Sequence, residues 1–190
     1  MVRWQPEARG RLEEAALALY GERGFENTTV AEIAERAGLT ERTFFRHFAD
    51  KREVLFSGSG ALQELLVSTA ADAPDSVAPI DAAAAGLEAV GAQLEELRGR
   101  EFARQRQAII AASAELQERE LIKLAAWSSA LADTLRDRGV GEPAASLTAE
   151  IAIAVFRIAF ERWLDETNER GFRQLVRESL DELRSVTAAG

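Results

Sequence analysis

The chain has 190 residues, of which 47% are hydrophobic, with one histidine, no cysteine and a formal net charge of −9. That apolar content suits an ordered globular protein with one good core, or a small module on a larger helical domain. The missing thiols exclude disulfide stapling and thiolate chemistry, and a lone histidine leaves His-based triads and transition-metal clusters without parts.

Four prolines in a chain dominated by alanine, leucine, glutamate and arginine favour helices throughout. Met1-Val2-Arg3-Trp4 passes straight into charge, without the apolar segment of a signal peptide. The apolar runs are too short or too interrupted to span a bilayer, so the expectation is a soluble, cytoplasmic protein.

A first helix is expected from Pro6 and Glu7, residues that suit a first turn, with Leu12, Ala15, Ala16, Leu19 and Tyr20 on its buried side. Gly21 and Gly24 flank its end, and Phe25 returns to the core. Arg9 and Arg11 either stand solvated on that helix or reach phosphates. Thr29 then caps a second helix, and Glu32 three residues on completes a capping box. Val30, Ile33, Ala34 and Ala37 give it an apolar side. Gly38 stands where a helix end wants a residue that tolerates positive φ. Thr40 caps a third helix, whose Leu39, Phe44 and Phe48 pack back on the second. Two short helices across a tight turn make a helix-turn-helix candidate. The packing pattern alone does not specify DNA. The outer side of the third helix adds that signal: Glu41, Arg42, Thr43 and Arg46 lie at or near the N-terminal end that such a motif inserts in the major groove, and His47 and Lys51 follow.

Asp50, with Glu53 at the third position, is expected to cap a fourth helix running through Val54, Leu55, Leu62, Leu65 and Leu66, with a bend at Gly58 and Gly60. Ala73-Pro74-Asp75-Ser76 breaks it. Further helices are expected from Pro79 toward Leu97, from Phe102 to near Ser113, and from Ala114 toward Leu135, where Gly139 to Pro143 stops the run. The last pair comprises a helix through Leu147, Ile151, Val155, Ile158 and Trp163 and an amphipathic one from Gly171 through Leu183. The first of this pair is apolar nearly all round and must be buried on two sides. Its second cover is another subunit or, alternatively, the rest of a monomer.

Thr28 to Ala34, Ala37 to Thr40, Thr43 to Lys51 and Glu53 to Leu55 closely resemble the N-terminal domain of the TetR family of bacterial transcriptional regulators, and Ala15-Ala16, Leu19-Tyr20 and Gly24-Phe25 resemble its first helix and turn. The resemblance is specific from about Glu7 to Leu55. It implies an all-α fold of about nine helices: a helix-turn-helix DNA-binding domain over 1–50, then a helical effector-binding and dimerisation domain over 51–190. It also implies a homodimer, here through residues 146–185, that represses transcription until a small, largely apolar effector moves the two reading heads. Residues matching Thr40, Thr43, His47 and Lys51 commonly make phosphate or groove contacts in that family. Phe45 departs from the pattern, standing where the family most often has a tyrosine whose hydroxyl touches a phosphate.

The DNA-facing candidates are therefore Thr29, Thr40, Arg42, Thr43, Arg46, His47 and Lys51. Arg42 is the expected base reader, because arginine pairs bidentately with guanine. His47 and Lys51 are expected to hold the backbone, Arg46 is open to either role, and the backbone beside Thr29 could hold a phosphate. Phe102, Gln105, Ile109, Trp127, Phe156 and Phe160 are the candidates for an effector cavity, with ordinary core packing as the alternative. No cofactor, metal or catalytic residue is expected. The charge speaks against nucleic acid, but unevenly: residues 1–56 carry a net −1 and residues 57–190 a net −8. Two other readings stand beside the regulator: a helical protein-interaction module without DNA binding, and a helical enzyme whose carboxylates converge in the fold.

Overall fold

A computed structural model describes residues 5–97 and 99–188, and among these residues the secondary structure is nine α-helices with no strand. The chain folds as two compact units. One holds the chain up to Gly58 together with Arg104–Leu121; the other holds Ser59–Ala103 and the chain from Ile122 onward. The expected division at residue 50 places neither Lys51–Gly58 nor the 104–121 segment with the N-terminal helices.

The first unit contains α1 (Gln5–Arg23), α2 (Val30–Arg36) and α3 (Glu41–His47), plus the later turns of α6 (Gly99–Ala111) and the first turns of α7 (Ala114–Asp137). Helices of seven residues are too short to stand alone, so α2 and α3 depend on caps and tertiary contacts. Both caps foreseen in the sequence form. The Glu32 amide donates to Thr29 Oγ1 at 3.3 Å, and the Thr29 amide donates back to the Glu32 carboxylate at 2.9 Å. The Thr43 amide donates to Thr40 Oγ1 at 3.2 Å. Between them Gly38 turns the chain at φ +64, while its N–H bonds the Glu35 carbonyl at 2.9 Å and that of Leu39 bonds Ala34 at 2.8 Å, which satisfies the last carbonyls of α2. Leu12, Ala16, Leu19, Phe25, Ile33 and Phe44 are buried beneath.

The fourth helix does not open at Asp50. Asp50 Oδ1 accepts the amides of Arg52 at 2.8 Å and Glu53 at 3.2 Å, but it caps only a run of turns over 51–58. Gly58, at φ +87, cannot continue a right-handed helix, and α4 (Ser59–Ala71) starts beyond it.

The second unit contains α4, α5 (Pro79–Leu97), the remainder of α6 and α7, α8 (Ala144–Leu164) and α9 (Phe172–Ala188). A Cβ at Gly86 would collide with the Leu66 carbonyl, and one at Gly91 would overlap the Phe172 ring. These two glycines let α5 lie close against α4 and α9. Trp127, Phe156, Phe160, Trp163 and Phe172 form one aromatic cluster with ring centroids 5.5–6.3 Å apart. The turn before α9 is fixed by the Phe172 amide, which donates to Glu95 at 2.7 Å, and by Arg100, which donates to the carbonyls of Asn168 and Arg170. As expected, α8 is apolar on more than one side: Ala152, Phe156 and Ala159 are buried, yet Leu147, Ile151 and Ile158 are exposed, as is Val186 on α9. No helix among the described residues is long and apolar enough to cross a membrane.

Candidate nucleic-acid interface

The Thr40 cap and the Phe44 anchor fix which side of α3 faces out. Phe44 is fully buried and meets the Phe48 ring at 5.4 Å, so Arg42, Phe45 and Arg46 turn to solvent, with Phe45 55% exposed. The two arginines differ from the other five between residues 5 and 58. Arg9 pairs with Glu13 at 3.2 Å, Arg23 with Glu32 at 2.8 Å, Arg36 with Glu22 at 2.7 Å and Arg52 with Asp50 at 2.6 Å, while Arg11 donates to the Ala37 carbonyl. Arg42 and Arg46 have no hydrogen bond or ion pair among the described residues. One turn apart on one face, they present two unengaged guanidiniums, the group suited to guanine edges and phosphates. Arg9 and Arg11, left open by the sequence between solvent and phosphate, are both tied down.

The remaining candidates divide by what already holds them. The hydroxyls of Thr40 and Thr43 lie 3.1 Å apart, both at the start of α3. Thr29 is engaged through its amide and hydroxyl with Glu32, each at 2.9 Å. Those bonds, the backbone one foremost, hold the Glu32 carboxyl below its usual range, so a negative charge already sits at the start of α2. Lys51 has an internal post that the sequence did not reveal. Its ammonium donates to the carbonyls of Phe25 at 2.9 Å and Thr28 at 3.0 Å, and it lies 4.2 Å from the Phe25 ring centroid. Two of its three protons are thereby used. Tyr20 donates to the Lys51 carbonyl at 2.7 Å, and burial, reinforced by the Asp50 charge, pushes the phenol up. His47 is partly buried, with Nε2 out of solvent and without a hydrogen-bond partner among the described residues. Burial first, then the charges of Arg46 and Arg9, hold its pKa below the usual imidazole value, so it is neutral at pH 7 in the free protein.

Sequence reasoning missed the support behind this surface. Arg106 donates to the Leu55 carbonyl at 2.6 Å and to Glu120 at 3.0 Å, while Arg119 grips Glu53 at 2.7 and 3.1 Å. Their guanidiniums lie 5.1 and 4.9 Å from the Phe56 ring centroid. Arg52 reaches Glu115 at 3.2 Å and Ser113 donates to Glu26 at 3.0 Å. The α6–α7 hairpin is thus part of the unit that carries α3.

The six effector candidates are divided between the two units. Phe102, Trp127, Phe156 and Phe160 belong to the second unit, whereas Gln105 and Ile109 belong to the first, because α6 passes from one to the other after Ala103. Ile109 is buried. Trp127, Phe156 and Phe160 form a continuous series, at 5.5 and 5.7 Å between successive rings. Among the described residues no group of three or more histidines, aspartates or glutamates could hold a metal ion.

Residues 12–57 match the model of the bacterial regulatory proteins of the tetR family, and residues 77–188 match that of the MftR C-terminal domain. The HTH-type transcriptional regulator TcmR of Streptomyces glaucescens is 38% identical over 82 residues, 43% of this chain but only 36% of TcmR. MftR of Mycobacterium tuberculosis, a proposed mycofactocin biosynthesis transcriptional regulator, is 26% identical over 158 residues, 80% of this chain and 78% of that one. Among solved structures, the complex of SmeT with triclosan superposes with a TM-score of 0.66 at 22% identity, covering 94% of this chain and 90% of that one. SmeT is the repressor of the Stenotrophomonas maltophilia multidrug efflux pump SmeDEF.

Proposed function

Because the chain belongs to the tetR family of bacterial regulatory proteins, with a C-terminal part of the MftR kind, we propose that it is a sequence-specific double-stranded DNA-binding transcriptional regulator. The observation that carries this reading is the pair Arg42 and Arg46, unengaged on the exposed face of a capped α3 while every other arginine between residues 5 and 58 is tied down. Arg42, in the first turn, reads a guanine edge. Arg46, the Thr40 and Thr43 hydroxyls, His47 and the remaining proton of Lys51 hold phosphates and set the register.

The working form is a homodimer. Between α8 and α9 runs a groove of about 850 Å³ whose walls include Ile151, Val155, Ile158, Leu183 and Val186. A second copy offers the same apolar strip, and two such helix pairs close into a four-helix arrangement that covers both. The regulator is a repressor released by a small, largely apolar effector bound in the second unit, as the likeness to triclosan-bound SmeT supports.

The test is selection of bound sequences from a random duplex library by the full chain. A twofold-symmetric consensus is expected. Arg42→Ala should then lose about 1–3 kcal/mol on that consensus and relax one base position in each half-site. No enriched sequence, or equal loss on every duplex for Arg42→Ala, would overturn the reading. Ile158→Asp should give monomers in sedimentation and lose the twofold consensus.

A further inference from the structure

We propose that each protomer recognises its twin by charge as well as by apolar area. Arg157 on α8 of one copy pairs with Glu182 on α9 of the other, and the twofold makes that pair twice. This inference rests on the homodimer reading above and names what selects the partner at that surface. Beside its apolar side chains, the α8–α9 groove is lined by three carboxylates, Glu178, Asp181 and Glu182, against one arginine, Arg162. Two copies set face to face therefore meet with acid in excess. Like charges brought together oppose docking unless a cation answers them.

Some of these charges are already answered within one copy. Glu178 accepts from Arg162 at 2.7 Å and from Arg170 at 2.6 Å, and Asp181 accepts from Arg184 at 3.2 Å. Glu182 is exposed and has no hydrogen bond or ion pair among the described residues. Of the five arginines on α8 and α9, Arg162, Arg173, Arg177 and Arg184 hold carboxylates. Arg157 is exposed and holds none among the described residues. The two unanswered charges stand at one level of the groove. Arg162 donates to Glu178 and, at 3.1 Å, to Ser179, which sets the register of the two helices. Little more than one turn back along α8 lies Arg157, and one turn on along α9 lies Glu182. At about 100° per residue, Arg157 falls on the edge of the apolar strip opposite Arg162, away from its own α9. A twofold through the middle of the groove lays the other copy's α9 on that edge, and each contact is then repeated by symmetry.

The experiment exchanges the charges in the full chain and weighs the dimers. Wild type, Arg157→Glu, Glu182→Arg and the double variant are prepared with tags of different mass and followed by sedimentation and native mass spectrometry. Each single variant sets like charges together at both ends of the twofold, and its dimer dissociation constant should rise about tenfold or more. Mixed one to one, the two single variants should form a mixed dimer in excess of either homodimer, because opposite charges then meet at both ends. The double variant should dimerise with itself about as well as wild type does, yet the two should exclude each other. A loss caused by misfolding cannot produce that rescue or that exclusion. Single variants that dimerise as tightly as wild type, or a mixture without excess mixed dimer, would overturn the proposal. If a single variant does not fold, the double variant mixed with wild type decides: free mixing removes the pair, and separate homodimers support it. A wild type that stays monomeric at micromolar concentration removes the homodimer reading and the pair with it. A dimeric wild type with indifferent charge variants keeps that reading and removes only the pair.

Discussion

Both units bring cations onto backbone carbonyls, Arg11, Lys51 and Arg106 in the first and Arg100 and Arg138 in the second, but the second also gathers five rings, Trp127, Phe156, Phe160, Trp163 and Phe172, into one cluster. The contrast follows from helix length. Two seven-residue helices bury little apolar area, so area alone cannot fix their angle, and directional bonds do it instead. Helices of 19 to 24 residues, such as α5, α7 and α8, bury enough surface to be held by packing. A surface that must match DNA to a fraction of an ångström is thus built from oriented bonds. The body adds a large packed core to bonds of the same kind.

The strongest way to break this comparison lies in the second unit. Phe172 is fully buried at the meeting of three other rings and backs onto Gly91. Phe172→Ala should cost about 3–5 kcal/mol of stability, the usual range for emptying a large aromatic site. Hydrogen exchange should show the loss in the amides of α5, α8 and α9, with those of α1 to α3 protected nearly as before. Equal loss in both units would mean that they unfold as one body and that the contrast has no thermodynamic content.

Next in size is the polar fastening of the first unit. Arg106 and Glu120 have side chains only 15% and 16% exposed, against 28% and 32% for Arg119 and Glu53. Solvent screens the second pair more, so Arg106→Met should be the costlier change. We expect about 1–3 kcal/mol for Arg106→Met and less than half of that for Arg119→Met, since methionine keeps the stem packing but removes the bonds. Exchange should rise first in residues 50–57, and the duplex should bind more weakly with its sequence preference intact. Loss confined to the α5–α9 core would reverse the assignment of this hairpin.

The sequence displayed what is local and hid what is distant. Thr29, Glu32, Gly38 and Thr40 each act on a partner three residues away, and each forms the cap or turn that its spacing implies. The side chains free for DNA were only partly legible, because freedom is defined by the partners that other arginines find. Spacing marks Lys51 as a phosphate holder but does not reveal its bonds to Phe25 and Thr28, more than 20 residues away, which fix where its remaining proton stands. The start of α4 was misplaced because periodicity carries through Gly58, whereas its left-handed backbone does not. The hairpin's membership of the first unit was illegible: Arg106 meets Leu55 and Arg119 meets Glu53 across 51 and 66 residues of chain. For the same reason the effector candidates on α6, drawn as one group, divide between units.

The smallest expected effect would sharpen the comparison at its functional end, through the only histidine. In the free protein burial and the charges of Arg46 and Arg9 keep His47 neutral, its pKa below the unfolded value of about 6.5. The unfolded chain therefore takes up this proton first. The stability that His47 contributes is fully present above the unfolded value and is lost as pH falls through it toward the folded one. A phosphate acts in the opposite sense, because it favours the imidazolium and raises the pKa in the complex. Binding then takes up a proton, and affinity for the selected duplex should increase as pH falls from 7.5 toward 6, by at most about tenfold per pH unit for one proton. His47→Gln keeps a polar side chain of similar reach and should flatten that slope while leaving the base preference of Arg42 unchanged. Titrations of both proteins at three pH values and constant ionic strength measure it. A slope equal in wild type and His47→Gln would take His47 out of the phosphate contacts and leave it as packing against Phe48, whose ring lies 6.4 Å away.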